Sequence, residues 1–194
     1  MSIRVIAGSA KGRRLKLVPG ESTRPIMDRV KEALFSIIGR DILDSTFLDL
    51  FAGTGSVAIE ALSRGAARAV MIDNERRAIQ TIKQNLAITG LSEKAVVRQA
   101  DAFAYLQQPP DQVYNYIYIA PPQYKNLWVK ALTSLDEHPA WMSDQTEVIV
   151  QIDPAEHQPI ALKHWEVADE RRYGNTLLVF LRTKSEAGEH KPEE

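Results

Sequence analysis

The fold is decided by the stretch Phe47-Leu-Asp-Leu-Phe-Ala-Gly-Thr-Gly-Ser56. The apolar start of this stretch favours a strand. Asp49 and two glycines, Gly53 and Gly55, follow it. Glycine suits a tight turn because it accepts positive φ and lets a ligand approach the backbone closely. Residues 57–62 predict a helix whose first N–H groups are unpaired, and Asp49 adds a fixed negative charge beside them. The stretch therefore predicts a strand, a turn and a helix start that offer both donors and an anion.

Two classes of ligand fit this motif. The spacing Gly53-x-Gly55-x-x-Ala58 matches the dinucleotide fingerprint, and Asp73 is an acid at about the expected distance onward. Asp49 argues against a dinucleotide, because a carboxylate just ahead of the glycines is badly placed beside a pyrophosphate. It suits a ligand with an ammonium group and a positive sulfur, such as S-adenosylmethionine. A glycine turn that only packs a helix on a strand is the alternative without a ligand.

The composition narrows the class of protein. The chain has 194 residues, enough for one domain with a full core, and it has no cysteine, which excludes disulfides, thiolate nucleophiles and cysteine-based zinc sites. The four histidines show no metal-ligand spacing, and we expect no metal site. No apolar run is long enough to cross a membrane and no export signal is visible, so we expect a cytoplasmic protein.

Positive charge is concentrated at the start of the chain. The net charge is −1, yet residues 1–40 hold nine Lys or Arg against three acids, and the remainder holds 15 against 22. This asymmetry indicates a polyanionic partner, with a solvated basic face as the alternative. The residues that we expect to bind the phosphates of such a partner are Arg4, Lys11, Arg13, Arg14, Lys16, Arg24 and Arg29.

Two elements are predicted in this basic segment. Residues 4–7 and 14–17 have the pattern of two short strands joined by a glycine-containing turn, which is a β-hairpin. Residues 28–38 have apolar side chains at helical spacing, and Asp28 is placed to support the helix start. A hairpin that only covers a sheet edge is the alternative to a phosphate-binding role.

Strand and helix signals alternate after residue 46. This alternation predicts an α/β fold with a doubly wound, mostly parallel sheet and a final antiparallel pair. Strands are expected at 46–49, 69–73, 95–99, 114–119, 147–152, 164–168 and 176–181, and helices at 56–64, 75–89, 102–106 and 128–134. We divide the chain into a basic extension (1–40), the α/β domain (41–182) and a disordered tail (183–194).

Polar residues close four successive strands of the predicted sheet. Ligands of doubly wound sheets bind beyond the carboxyl ends of the strands, where the strand order reverses. Asp49, Asp73, Asp101 and the segment 120–124 would all line that rim. Asp73 can accept from both hydroxyls of a ribose, and Asp101 with Ala102 can accept from an adenine amine. Each acid can instead be a helix cap, because Asp favours caps and turns.

The segment 120–124, which follows the fourth strand of the predicted sheet, is the second motif that indicates a function. Pro121 and Pro122 stiffen the backbone and fix the directions of its carbonyls, which can accept from a substrate amino group while Tyr124 stacks on a base. Methyltransferases that modify exocyclic amines usually carry Asp or Asn, two prolines and an aromatic residue. This chain has Ala120 at the first position and inserts Gln123 before the aromatic residue.

Taken together, these motifs resemble the bacterial small-subunit rRNA methyltransferase D family. The resemblance covers about residues 3–182 and rests on Arg24-Pro25, residues 28–35, residues 49–55, the Pro-Pro segment and Arg172-Tyr-Gly174. It implies a class I, Rossmann-like enzyme that uses S-adenosylmethionine to methylate the 2-amino group of a guanine in 16S rRNA. It further implies that the basic residues of segment 1–40 bind the RNA substrate, which is 16S rRNA or the assembling small ribosomal subunit. We expect the protein to be a monomer.

The resemblance also implies roles for single residues. The cofactor would be held by Asp49, Phe51, Ala52, Gly53, Thr54, Gly55, Asp73, Asn74, Asp101 and Ala102. The target guanine would be flipped out and held by Pro121, Pro122, Gln123 and Tyr124. Gln123 is one candidate for the oxygen that Ala120 lacks. The alternatives are that backbone carbonyls suffice, or that the protein binds RNA and cofactor without efficient turnover.

Three rival functions stay open. A DNA amino-methyltransferase would share the cofactor rim, but the chain lacks an obvious large target-recognition domain. A nicotinamide-dependent oxidoreductase is disfavoured by Asp49 and by the Pro-Pro segment. A non-catalytic RNA-binding or ribosome-assembly factor is kept open by Ala120, since fold alone does not determine function.

Overall fold

A computed structural model of the protein describes residues 2–20 and 25–185. The strands are β1 (Ile3–Arg4), β2 (Arg14–Leu15), β3 (Thr46–Asp49), β4 (Arg68–Asp73), β5 (Ala95–Gln99), β6 (Tyr116–Ile119), β7 (Glu147–Ile152), β8 (Trp165–Tyr173) and β9 (Thr176–Thr183). The helices are α1 (Asp28–Ile38), α2 (Ser56–Ser63), α3 (Arg76–Thr89), α4 (Ala102–Leu106) and α5 (Leu127–Glu137). No helix within these described residues is long and apolar enough to span a membrane.

The main sheet has the strand order β5-β4-β3-β6-β7-β9-β8. Strands β3 to β7 are parallel, and β9 lies antiparallel between β7 and β8. The chain proceeds from β3 to one edge and then returns to β6 on the other side of β3, so the strand order reverses between β3 and β6. This confirms the predicted doubly wound sheet with its final antiparallel pair.

Helices cover both faces of this sheet. Phe47 packs in a core cluster with residues of α1, α2 and α3, whereas its neighbour Leu48 packs in a second cluster with residues of α4 and α5. The alternation repeats on β4, where Met71 belongs to the first cluster and Val70 to the second. Because both faces are buried, consecutive residues in the middle of the central strands are apolar, and these apolar runs are the signal from which the strands were predicted.

The N-terminal hairpin is shorter than predicted. Only Ile3 and Arg4 pair with Arg14 and Leu15, although strands were expected at 4–7 and 14–17. The reason is a tertiary contact: the N–H groups of residues 6 and 7 donate to a buried carboxylate on α2 instead of to a strand partner. We call residues 3–18 the basic arm.

Helix α1 has the predicted bounds, whereas strand β8 extends five residues beyond its predicted end. Its charged residues at 169–172 concealed this extension, but they are tolerated because β8 is an edge strand, and edge strands are commonly charged. The tail predicted from residue 183 begins inside β9, and residues 186–194 lie outside the described residues. Arg24 also lies outside them.

Candidate cofactor and target site

The predicted rim is present. Asp49 is the last residue of β3, Asp73 is the last of β4, Asp101 follows β5, and Ala120 follows β6 directly. These four strands are adjacent and parallel in the sheet, so their carboxyl ends share one edge beside the point where the strand order reverses. The structure therefore places the four predicted positions at one edge of the sheet, and their roles in ligand binding stay predictions.

Residues 50–55, the glycine loop, are fixed by backbone hydrogen bonds to the neighbouring strand. The N–H of Ala52 donates to the carbonyl of Ile72 (2.9 Å), and the N–H of Gly53 donates to Oδ2 of Asp73 (2.8 Å). The N–H of Gly55 closes the turn by donating to the Ala52 carbonyl (2.7 Å). The loop is thus held in one conformation before any ligand binds.

The two glycines of the loop serve different purposes. Both have positive φ, 54° at Gly53 and 78° at Gly55, which favours glycine at each position. A Cβ atom at Gly55 would lie 3.3 Å from side chains of the core, whereas a Cβ atom at Gly53 would meet nothing within 4 Å. Gly55 therefore permits close packing of α2 on the sheet, and Gly53 faces open space in which a ligand can approach.

Asp49 is not the fixed anion that the sequence suggested. Its side chain is 1% exposed, and burial raises its pKa to about 8, an effect opposed by the N–H of Phe51 and reinforced by the charge of Asp73. Oδ1 of Asp49 accepts from the N–H of Phe51 at 3.3 Å. Near neutral pH the carboxyl is therefore mostly protonated. A cation bound beside it would lower this pKa and restore the charge.

Asp73 and Asp101 both accept hydrogen bonds from backbone groups. Besides Gly53, Asp73 accepts from the N–H of Glu75 through Oδ1 (2.9 Å), and burial raises its pKa. Oδ1 of Asp101 accepts from the N–H of Ala104 (2.9 Å), so this residue is the N-cap of α4, which was the alternative weighed for it. Each carboxylate has remaining lone pairs for a ligand, because a carboxylate offers about four acceptor positions.

The other proposed cofactor residues lie around these acids. Ala102 is buried at the start of α4, and Asn74 is exposed directly after β4. Phe51 packs against Phe103 in an edge-to-face arrangement, with ring centroids 5.9 Å apart, and forms an apolar wall. Thr54 faces inward, and its carbonyl accepts from the side chain of Asn85 (2.9 Å).

Residues 120–126, the target loop, end in an unusual backbone conformation. Pro121 is buried, Pro122 and Gln123 are exposed, and Tyr124 has a φ of 62° with 68% of its surface exposed. The N–H of Tyr124 donates to Oε1 of Glu156 (2.7 Å), and its hydroxyl donates to Oδ2 of Asp153 (2.8 Å). Tyr124 is therefore anchored at both ends while its ring stays accessible.

Asp153 and Glu156 were missed by the sequence analysis. Asp153 follows β7 directly, so the rule that selected the acids after β3, β4 and β5 would also have selected it. It caps a short 3-10 turn by accepting from the N–H of Ala155 (2.8 Å), and this bond, followed by the bond from Tyr124, lowers its pKa. Glu156 has no sequence signal, because its partner is a backbone group 32 residues away.

The basic arm is attached to α2 through a buried carboxylate. Glu60 is 0% exposed and accepts from the N–H groups of Ile6 (2.9 Å) and Ala7 (3.0 Å). Its charge is balanced by Lys31 (3.5 Å) and Arg64 (2.8 Å). Since an unpaired buried charge is costly, this network fixes the arm against the domain.

Two buried side chains join the arm to the glycine loop. Asn85 accepts from the N–H of Lys16 (2.7 Å) and donates to the carbonyls of Lys16 (3.0 Å) and Thr54. The ammonium of Lys31 donates to the carbonyl of Arg4 (2.6 Å) and to the hydroxyl of Ser56 (2.9 Å), the first residue of α2. The arm and the loop are therefore parts of one polar network.

The basic side chains proposed for RNA are on the surface. Arg4 pairs with Asp28 at 3.0 Å, and both groups are substantially exposed. The others are exposed and form no salt bridge with any residue in the described ranges: Lys11, Arg13, Arg14, Lys16 and Arg29. Within the same ranges, no group of three or more His, Cys, Asp or Glu side chains is placed to hold a metal ion.

Comparison with known proteins relates this geometry to a family. Residues 3–182 match the sequence model of a family described as conserved hypothetical protein 95. The protein YlbH of Bacillus subtilis is 37% identical over 184 residues, which cover 94% of this chain and 100% of that protein. Ribosomal RNA small subunit methyltransferase D of Escherichia coli is 31% identical over 184 residues, which cover 95% of this chain and 91% of that one. The solved structure of the Escherichia coli protein yhhF superposes with a TM-score of 0.83 at 30% identity, over 95% of this chain and 99% of that one.

Proposed function

Because the chain belongs to the ribosomal RNA small subunit methyltransferase D family, we propose that it transfers a methyl group from S-adenosylmethionine to the exocyclic 2-amino group of a guanine in 16S rRNA. The observation that carries this proposal is the rim formed by β5, β4, β3 and β6. There an open glycine, three carboxyl groups and a rigid proline loop with an accessible tyrosine share one edge of the sheet.

The residues of the rim fit S-adenosylmethionine. Asp49 suits the ammonium of its methionine portion, because a cation beside a buried carboxyl of raised pKa stabilises the charged form of that carboxyl. Asp73 keeps lone pairs for the ribose hydroxyls, and the free oxygen of Asp101 with the Phe51 and Phe103 rings suits adenine. When bound, S-adenosylmethionine supplies an electrophilic methyl group on a positively charged sulfur.

The reaction is a direct transfer. In such a transfer the amino nitrogen of guanine would bond to the methyl carbon as the carbon–sulfur bond breaks, and the methylated amine would release one proton to solvent water. Neither a covalent enzyme intermediate nor an acid–base side chain is required, so the protein contributes mainly by alignment, which can supply about 7–11 kcal/mol. Pro121 and Pro122 fix carbonyls that accept from the amino group, which matters here because Ala120 has no polar side chain.

In this proposal the basic arm binds the RNA substrate. Exposed Arg and Lys side chains bind phosphates without reading sequence, so they position the RNA and leave base selection to the target loop. A guanine in a helix cannot reach the rim, and we expect it to flip out and stack on Tyr124. The assembling small subunit as substrate, the monomeric state and the cytoplasmic location stay predictions.

The class of substrate is tested by methyl transfer from radiolabelled S-adenosylmethionine to three acceptors in parallel: small ribosomal subunits, naked 16S rRNA and duplex DNA. We expect label in rRNA and none in DNA. Label in DNA alone would replace the proposal by a DNA amino-methyltransferase. Binding of cofactor and rRNA without transfer to any acceptor would support the second candidate, a non-catalytic assembly factor, which the absence of a polar side chain at Ala120 favours.

A further inference from the structure

We propose that residues 153–156, which follow β7, form the second half of the target-base site, in which Asp153 and Glu156 hold Tyr124 in place for stacking. This rests on the proposed function, since it assigns positioning residues to that reaction. Both carboxylates lie in the segment that follows β7, the strand next to β6, so the target loop is held by the neighbouring loop at the same edge of the sheet.

The backbone of Tyr124 needs such support. A φ of 62° places it in the left-handed region, which is unfavourable for a residue with a Cβ atom. Its N–H donates to the carboxylate of Glu156 at 2.7 Å, within the range for strong charge-assisted bonds. Residues held in sparsely populated conformations persist when the surrounding structure determines them, and here that structure is Glu156.

The side chain of Tyr124 is fixed by a group that is itself fixed. Oδ2 of Asp153 accepts from the tyrosine hydroxyl (2.8 Å), while Oδ1 accepts from the N–H of Ala155 (2.8 Å). A third bond joins the same two segments, because the amide of Gln158 donates to Oδ1 of Asn126 (3.2 Å). Three side-chain contacts therefore connect the target loop to the segment after β7.

This arrangement determines how a base is recognised. The hydroxyl of Tyr124 is engaged by Asp153, so the exposed part of the side chain, 68% of its surface, offers the ring to a base. Any base can stack on an aromatic ring, so the ring does not select guanine. The carbonyls beside Pro121 and Pro122 would then select the base through hydrogen bonds. Because the side chain of Ala120 offers no acceptor of its own, alignment of the base by the Tyr124 ring matters more for the reaction.

The charges around the contact agree with this geometry. The bond to Asp153 raises the pKa of Tyr124, with a further contribution from the charge of Glu156. Arg172, near the tip of the β8–β9 hairpin, lowers the pKa of Asp153. Its guanidinium donates to the carbonyl of Gly174 (3.1 Å) within that hairpin.

Steady-state methyl transfer by substituted proteins tests the proposal. We expect Asp153→Ala to lower kcat by about 10- to 100-fold, the scale of a ~1 Å misplacement, with an unchanged Kd for S-adenosylhomocysteine. Asp153→Asn should retain most of the activity, because its amide can still bond both partners. Asp144→Ala, which removes an exposed acid ahead of β7, is the matched control.

A double substitution separates positioning from a general structural effect. If Asp153 acts through the tyrosine hydroxyl, then Tyr124→Phe and Asp153→Ala should lower kcat to the same extent, and the double variant should be no slower than either. Additive losses would overturn the proposal, as would an Asp153→Ala protein within twofold of wild type. A wild-type protein that transfers no methyl group to rRNA would instead overturn the proposed function.

A second measurement does not depend on activity. In protein labelled with ¹³C at the tyrosine ring, the Tyr124 resonance is identified by its loss in Tyr124→Phe. Its pKa should lie above the usual range in the wild type and fall in Asp153→Ala, because a negative neighbour has been removed. An unchanged pKa would show that the contact does not form and would overturn the proposal.

Discussion

The backbone N–H of Gly53 donates to Oδ2 of Asp73 over 2.8 Å, and this bond ties the loop after β3 to the acid that ends β4. The same carboxylate accepts from the N–H of Glu75 through its other oxygen. Asp73 therefore shapes the glycine loop as well as facing the proposed ribose position. A residue with both tasks should be more sensitive to substitution than one that only contacts ligand.

Asp73→Asn should weaken S-adenosylhomocysteine binding by about 10- to 100-fold. An asparagine has one acceptor oxygen, so either Gly53 or Glu75 loses its partner, and a hydrogen bond to a charged group contributes about 1.5–3 kcal/mol. Isothermal titration calorimetry measures the change. Glu75→Gln, an exposed neighbour, serves as control. Equal affinities for Asp73→Asn and wild type would exclude Asp73 from the cofactor site.

The protonation of Asp49 predicts a pH-dependent affinity. The free carboxyl has a pKa of about 8, and an ammonium bound beside it lowers that pKa, so binding releases a proton below pH 8. Affinity should therefore rise between pH 6 and 8, by up to about tenfold per pH unit, and decline at higher pH as the ligand amine (pKa about 8) loses its own proton.

Asp49→Asn provides the control for this pH dependence. The amide does not titrate, so affinity for S-adenosylhomocysteine should be lower and flat between pH 6 and 8. Calorimetry in buffers of different ionisation enthalpy should show that ligand binding releases a proton from the wild-type protein and none from the Asp49→Asn variant. The same rise of affinity in both proteins would assign the titration to another group.

Asn85→Leu should affect two properties together. The substitution leaves the buried carbonyl of Thr54 and the partly buried N–H and carbonyl of Lys16 without these partners, and an unsatisfied buried group costs about 1–3 kcal/mol, less where water can reach it. Urea unfolding should show the lost stability, and cofactor affinity should fall because the glycine loop is released. Gln84→Leu, at the adjacent exposed position, should change neither quantity. Lost stability with unaltered affinity would show that the arm and loop are not coupled.

The exposed cations of the arm should govern RNA affinity alone. Arg14→Ala and Lys16→Ala should each weaken binding to 16S rRNA, most strongly at low salt, and each should reduce the slope of log K against log salt by about 0.7–0.9. Cofactor affinity should stay constant, because the Lys16 contact to Asn85 uses backbone atoms. Unaltered RNA affinity in both variants would favour a hairpin that only covers the sheet edge.

Much of the fold was predictable from local patterns. Strands β3, β5 and β7 and helices α1 and α4 have the expected bounds, because their apolar residues follow the period of the element and turn residues flank them. The convergence at the rim was predictable as well, since parallel strands present their carboxyl ends at one edge. The acid at or after each strand was then enough to predict which side chains meet at this edge, while their roles in binding a ligand stay predictions.

What the sequence did not reveal depends on contacts between distant residues. The hairpin ends early because residues 6 and 7 bond Glu60, more than fifty positions away. Asp49 is mostly neutral because burial outweighs its one hydrogen bond, and burial is a property of the folded chain. Glu156, which follows β7, accepts from the N–H of Tyr124, which follows the adjacent strand β6. Neither spacing nor composition indicates this contact.

The most direct test of the central claim is the identity of the methylated nucleoside. Small ribosomal subunits that lack their native guanine N2-methylation are incubated with labelled S-adenosylmethionine and the protein, and the digested rRNA is analysed by chromatography with mass spectrometry. Our account predicts N2-methylguanosine with wild-type protein and none with Asp49→Ala. Another methylated nucleoside, or no product from a protein that binds the cofactor, would contradict it.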